Sequence, residues 1–372
     1  MDEHKTNGMT EFLKREMRAW EEMQAAGQMG GWKRRVPKRL LVAMLAVGAA
    51  FLVALAAVFL IPWGNLTPPT SDSGQQGDAS HGITPPVGEG SGTQQEEQTT
   101  EDMTQPPAPS DPYAYDYSVV PAGAVPVVPV NISVRQNPVN QTGGVIDTEG
   151  LASAACRIPA PRGSISVLII HTHTGEGYNR EGVQYLDAGD EEFARSADGS
   201  DGVVAVGARL AQRLNEAGIG TIHCKTVFDG ESNRESYARA ADAIQAFRLA
   251  YPGLVCVIDV HRAAIVNEQG HYVRSLAVRD GQGIAQTQVI CGMNATETSK
   301  TNLALAMALY ERMNSAFPDS CAAVICKAQT LNQDLSPFSL TLEIGSCGNL
   351  PKEAIAAADV TAAALCTLFE TN

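Results

Sequence analysis

Positive charge is scarce in this 372-residue chain: 27 Lys and Arg stand against 41 Asp and Glu, for a net charge of −14. A general nucleic-acid binder needs a basic face, so that class is excluded. Aromatics are few, at 6%. No two of the eight cysteines form a CxxC pair, which removes zinc-ribbon and thioredoxin-type motifs. Cys256 in LVCVIDV, Cys291 in QVICG and Cys326 in AVICK lie inside apolar runs, where a thiol acts as a small hydrophobe. The even count permits disulfides outside the cytoplasm, with no connectivity implied. There is no internal repeat, and residues 65–111 have almost no large apolar side chains.

One long apolar run is present. Leu40 to Ile61 carries no charge and is flanked by Trp32 and Trp63. Roughly 20 apolar residues cross a bilayer core as a helix, and aromatic residues favour the interfaces. Lys33, Arg34, Arg35, Lys38 and Arg39 precede the run, and no Lys or Arg follows until Arg135. The positive-inside rule therefore predicts a cytoplasmic tail at 1–39, a single-pass span at 40–61, and export of the remainder. Pro62-Trp63-Gly64 is a poor cleavage site, so an uncleaved anchor is expected.

Residues 62–111 read as a disordered acidic linker: stretches such as GTQQEEQTTED cannot offset their chain entropy by burial. Residues 112–156 read as an arm or linker able to supply an edge strand. From 157 to 372, short apolar runs alternate with amphipathic ones. SVLII, IGTIHC, LVCVIDV, AAVICK and SLTLEI are expected strands, and HYVRSLAV and QTQVICGM an expected strand pair. Helices are expected over 202–217, with Val203, Val206, Leu210 and Leu214 on one face, and over 233–250, 299–317 and 352–369. This alternation predicts an α/β domain: a mostly parallel central sheet with helices on both faces. Sites in such sheets form at the carboxyl ends of strands.

Three strands end in reactive residues. SVLII runs into His171-Thr172-His173-Thr174-Gly175-Glu176, LVCVIDV into His261-Arg262, and SLTLEI contains Glu343. Two His-bearing strand ends with a carboxylate suit a catalytic zinc site, which takes three protein ligands and leaves one position for water. The candidate ligands are His171, His173, Glu176 and His261. Spacing leaves open which of the first two histidines serves, and Asp201 stands as an alternative to Glu176. Glu343 is the candidate general base, and Asp259 a partner orienting a ligand histidine. Arg262 is placed to hold a substrate carboxylate. His223 reads as a structural hydrogen bonder.

VLIIHTHTGEGY, VIDVHR and LNQDLSPFSLTLEIGSCGN, in this order from about Ser164 onward, resemble the signature blocks of the stage II sporulation protein P family. That family is similar to zinc-dependent N-acetylmuramoyl-L-alanine amidases. The resemblance implies a peptidoglycan hydrolase outside the membrane of a spore-forming bacterium. It implies Zn2+ held by the HTHT block and His261, Glu343 as the catalytic glutamate, and Asn332, Gln333 and Asp334 shaping the site floor. It also implies cross-link endopeptidase activity and partnership with sporulation proteins D and M during engulfment. GEG follows HTHT where the family pattern has Ser-Glu, and DVHRAA lacks a polar residue expected after the arginine. Two other readings stand beside this one: a homologue that binds wall or partners without cutting, and a zinc peptidase acting on short peptides.

Overall fold

The computed structural model describes residues 120–148, 151, 156–187, 194–196, 201–230, 235–294 and 297–371. The expected tail, span and linker at 1–111 lie outside the described residues. Among the described residues no helix is long and apolar enough to cross a membrane.

In chain order the elements are β1 (Ala124–Val130), β2 (Val139–Gln141), β3 (Ile158–Pro159), β4 (Ile165–Ile170), β5 (Tyr185–Asp187), α1 (Val203–Glu216), β6 (Gly220–His223), α2 (Ser236–Ala250) and β7 (Cys256–Ala263). These are followed by β8 (Tyr272–Arg279), β9 (Gln282–Ala285), β10 (Thr287–Gly292), α3 (Glu297–Ala316), β11 (Cys321–Lys327), β12 (Phe338–Ser346), α4 (Pro351–Cys366) and β13 (Phe369–Glu370).

Seven strands make the central sheet, in the order β2-β11-β10-β12-β7-β4-β6. β12, β7, β4 and β6 are parallel neighbours, and so are β10, β11 and β2. The two blocks meet at an antiparallel β10–β12 seam. The expected mostly parallel sheet is therefore a mixed one, parallel within each block and reversed at the seam.

A second difference produces the seam. HYVRSLAV (β8) does not pair with QTQVICGM (β10). It turns at Asp280-Gly281, both with positive φ, and pairs antiparallel with β9. Asp-Gly is the residue pair that such a tight hairpin needs. β8 and β9 sit with β1 and β5 in a separate four-stranded sheet, and β10 enters the large sheet reversed.

The pleat sorts side chains between two faces, since successive residues of a strand point oppositely. Val167, Ile169, Ile258, Val260, Val289, Leu340 and Leu342 share one core with α1, α3 and α4. The α1 stripe Val203, Val206, Leu210 and Leu214 is buried there. Each such Leu or Ile contributes roughly 1.5–3 kcal/mol of burial. On the opposite face, among the described residues, α2 alone packs, with Ala240, Ile244 and Phe247 on Leu168, Ile170 and Val257. Among the described residues that face carries no helix over β10 and β11. Val134 and Val139 rest there against Ile290, Ala323 and Ile325. Helices thus lie on both faces, three on one and one on the other. The thinly covered face is called the open face below. The closing helix stops at Cys366, and Phe369–Glu370 pair with Ile158–Pro159.

Candidate active site

The open face collects the reactive residues because sheet register and pleat agree. Ile170 pairs with Asp259, Thr341 with Asp259 and Glu343 with His261. Ile258 and Val260 on β7 and Leu342 and Ile344 on β12 point into the helix-covered core, so their strand neighbours Asp259, His261 and Glu343 point away from it.

His261 is the hub and is buried. Its Nδ1 lies 3.2 Å from Glu176 Oε2, and its Nε2 lies 3.0 Å from Asp259 Oδ1. The second contact is close but off line, so Nε2 has no hydrogen-bond partner. The His173 ring meets the His261 ring edge-on at 5.3 Å between centroids. Asp259 accepts hydrogen bonds from Thr172 N at 2.9 Å and Thr172 Oγ1 at 2.5 Å, which clamps the HTHT turn to β7. Asp229 holds the same turn from the other side, through Thr174 Oγ1 at 2.5 Å and Gly175 N at 3.0 Å.

Electrostatics in the cluster favour added positive charge. Burial opposes protonation of His261, yet Asp259 and Glu176 together raise its pKa well above the usual histidine value. Burial likewise opposes ionisation of Glu176 and Asp259, but the His261 ring keeps both carboxyls below their ordinary range. His173 is lowered by burial, which keeps it neutral and able to ligate. Glu343 moves the other way: burial raises its carboxyl, as suits a group that takes up a proton and passes it on.

His171 falls outside the cluster. The pleat continues one residue beyond β4, which turns His171 to the helix-covered face. There its Nδ1 lies 2.9 Å from Val260 O and its Nε2 2.8 Å from His223 Nε2. The ring is fully buried. A Cβ on Gly207 of α1 would lie 2.4 Å from its Cε1, so only glycine fits opposite it. Bonding to a carbonyl requires a proton on Nδ1, so Nε2 accepts from His223. No lone pair remains for a metal.

Arg262 also departs from its expected role. Its backbone N donates to Glu176 Oε2 at 3.1 Å. Its guanidinium donates to Gly177 O at 3.0 Å and to Ala194 O at 3.2 Å. It locks the Glu176 turn in place rather than facing a substrate carboxylate. Gly177 belongs to the same packing, since a Cβ there would lie 2.8 Å from the Arg195 carbonyl carbon.

Gln333 is buried and joins β10 to β12 through Gly292 N, Ile290 O and Thr341 Oγ1. Asn332 donates to Tyr237 O at 2.8 Å, and Asp334 is exposed. Gln333 and Asn332 brace the surroundings of the cluster, and Asp334 faces solvent. Asp201 accepts from Ser196 Oγ at 2.7 Å, a local role in the turn before α1.

Tyr237, at the start of α2, is a participant that no motif marked. Its ring stands edge-on to His173 at 5.7 Å. Its hydroxyl is pushed up to about 12, by burial first and then, against His261, by Asp259, Glu176 and Glu343. The stage II sporulation protein P family model matches residues 88–366. The chain belongs to that family. The match begins well before the blocks that carry the resemblance and takes in β1 and β2.

No curated protein matches the chain. Among solved structures it is similar to the N-acetylmuramoyl-L-alanine amidase AmiC2 of Nostoc punctiforme, at 15% identity over 55% of this chain and 95% of that one, with a TM-score of 0.31. It is also similar to the CwlD amidase of Clostridioides difficile in complex with the GerS lipoprotein, at 10% identity over 55% and 98%, with a TM-score of 0.34. The Ami1 amidase of Mycobacterium abscessus gives 10% identity over 56% and 99%, with a TM-score of 0.34. Likenesses at these scores carry no argument about chemistry. The residues of this chain have to supply it.

Among the described residues no group of three or more His, Cys, Asp or Glu side chains stands arranged to hold a metal ion. The donor chemistry nevertheless fits one. His173, Glu176 and His261 adjoin, two neutral-capable imidazoles with one carboxylate. Glu176 lies on the Nδ1 side of His261 and Asp259 on the Nε2 side, an arrangement in which the second carboxylate orients the ring.

Proposed function

We propose that this protein is a membrane-anchored N-acetylmuramoyl-L-alanine amidase that cuts peptidoglycan during sporulation, with Zn2+ as its cofactor. The observation that carries the reading is the row His261–Glu343 beside Glu176 and His173, within a chain of the sporulation protein P family. His173, Glu176 and His261 would hold the ion. When bound, zinc supplies a water of lowered pKa and polarises the amide carbonyl.

The chain's own groups do the rest. Glu343, with its raised carboxyl, takes the proton from the attacking water as the C–O bond forms. It returns that proton to the amide nitrogen as the C–N bond breaks, so the stem peptide leaves as a free amine. Asp259 keeps His261 oriented, and Arg262 and Thr172 fix the turn that presents His173 and Glu176. Tyr237 retains its proton at neutral pH and is a hydrogen-bond donor at the rim of the cluster.

The charge asymmetry around residues 40–61 supports a cytoplasmic N-terminus and an extracytoplasmic domain. The acidic stretch at 62–111 would serve as the tether that lets the hydrolase reach the nearby wall. Sporulation proteins D and M are proposed partners, and cross-link endopeptidase activity a proposed second outcome. The test is incubation of the full chain with purified peptidoglycan, with and without a chelator, and identification of released products by mass. Free stem peptides that vanish with chelation and return with zinc are expected. Cross-link cleavage alone would make the protein an endopeptidase. No product despite stoichiometric zinc would leave a wall-binding homologue.

A further inference from the structure

We propose that the cleft between residues 130–140 and strands β10 and β11 is a binding site for the anionic peptide portion of the substrate. The identity of that peptide rests on the amidase reading; the existence of the site does not.

The cleft has a volume of about 410 Å³. It adjoins the cluster through one lateral row of the sheet: Ala323 pairs with Gln288, Gln288 with Glu343, and Glu343 with His261. Neighbouring strands lie about 4.8 Å apart, so the cleft floor at Ala323 and Gln288 begins one strand from Glu343. Val289 and Cys291 point into the helix-covered core, which puts Gln288 on the same open face as Glu343.

Gln288 is 4% exposed, and its side-chain amide lines the cleft with no hydrogen-bond partner among the described residues. The amide opens onto the cleft, where a ligand can take the place of water. It can both donate and accept, as a peptide backbone requires. Arg135 lines the same cleft, is exposed and makes no ion pair or hydrogen bond among the described residues. Among the described residues no Asp or Glu lines the cleft, although the chain carries a net charge of −14. The remaining walls are largely aliphatic, including Val130, Ile132, Ile265 and Val273, with no aromatic ring. Small apolar side chains, a backbone amide and a carboxylate match these walls.

The cleft is also held open. Ile132 N donates to Gln286 Oε1 at 2.7 Å, and Gln286 Nε2 donates back to Asn131 Oδ1 and Ile132 O. At the far end Val324 N donates to Asn137 Oδ1 at 2.7 Å. An arm pinned at both ends loses little freedom when a ligand enters. The leaving peptide therefore runs along the row toward β10, which leaves the glycan on the α2 side of Glu343.

The test uses the full chain carrying Glu343→Gln, so that nothing is turned over, and a fluorescent L-Ala-γ-D-Glu-L-Lys-D-Ala peptide followed by anisotropy. Arg135→Ala is expected to weaken binding about tenfold, as loss of a charge-assisted hydrogen bond does, with no effect on a carboxamide version of the peptide. Gln288→Leu is expected to weaken both peptides. Binding unchanged in both variants would overturn the proposal, as would displacement of the peptide by a peptide-free glycan strand. The readout separates the two readings. Peptide binding lost in Arg135→Ala, with no hydrolysis by the native chain, sinks the amidase and keeps the cleft. Hydrolysis by the native chain, with both variants unaltered in peptide binding and with Arg135→Ala and Gln288→Leu in the otherwise native chain unaltered in KM, does the reverse.

Discussion

The row that crosses the open face has two ends of opposite character. At His261 the polar groups crowd together: Asp259 and Glu176 press on one imidazole, and Thr172, Asp229 and Arg262 hold the surrounding turns. Around Gln288 the cleft is walled mostly by aliphatic side chains, and Gln288 and Arg135 stand apart from one another facing it. The difference separates two tasks. Bond breaking needs groups fixed before the substrate arrives, and recognition needs groups left open for it. Glu343 stands between the ends, on the strand that both flank.

The sharpest way to break the comparison is at that residue. Glu343→Gln keeps the shape and removes the proton carrier. Turnover should fall by about 10²–10⁴-fold, with zinc content and peptide binding unchanged. A parallel loss of zinc would move Glu343 into the ligand set. At the crowded end, Asp259→Asn removes the charge that orients His261. Zinc affinity, read by chelator competition, should drop about 10–100-fold. An unchanged affinity would mean that His261 is oriented without it.

A third effect is on stability and lies behind the crowded end. Burial depresses His171 to about 4 and His223 well below its usual value. Both are near 6.5 in an unfolded chain. The folded form binds fewer protons, so their contribution is complete above about pH 6.5. It declines as the pH falls toward 4, by up to about 3 kcal/mol for His171. Denaturant midpoints measured from pH 7 to 4 should fall less steeply for a His171→Leu/His223→Leu double variant than for the native chain. Equal slopes would assign the acid limb to other groups.

Much of this was legible in the sequence, for identifiable reasons. β4 and β7 are strands buried almost throughout and read as continuous apolar runs. The α1 stripe and the glycine that ends it state the helix outright. Glu343, His261, His173 and Glu176 sit where strand-end reasoning put them. The misses have physical causes as well. His171 and His173 look alike in one dimension, and only the pleat and the close approach of Gly207 tell them apart. Arg262 promised an anion, but its guanidinium went to carbonyls brought in by a segment far along the chain. The Asp280-Gly281 turn was a hairpin signal that would have separated β8 from β10. Tyr237 and Gln288 carry no motif. They matter only because α2 and the seam place them beside the cluster.

Sheet register has a kinetic corollary. Arg262 and Glu176 are 86 residues apart in sequence, and Thr172 and Asp259 are 87 apart. Contacts of such separation close large loops and form slowly. No stretch of a few dozen residues holds the whole cluster, so no short folded piece of the chain carries it. The cluster is complete only when β7 takes its place between β4 and β12.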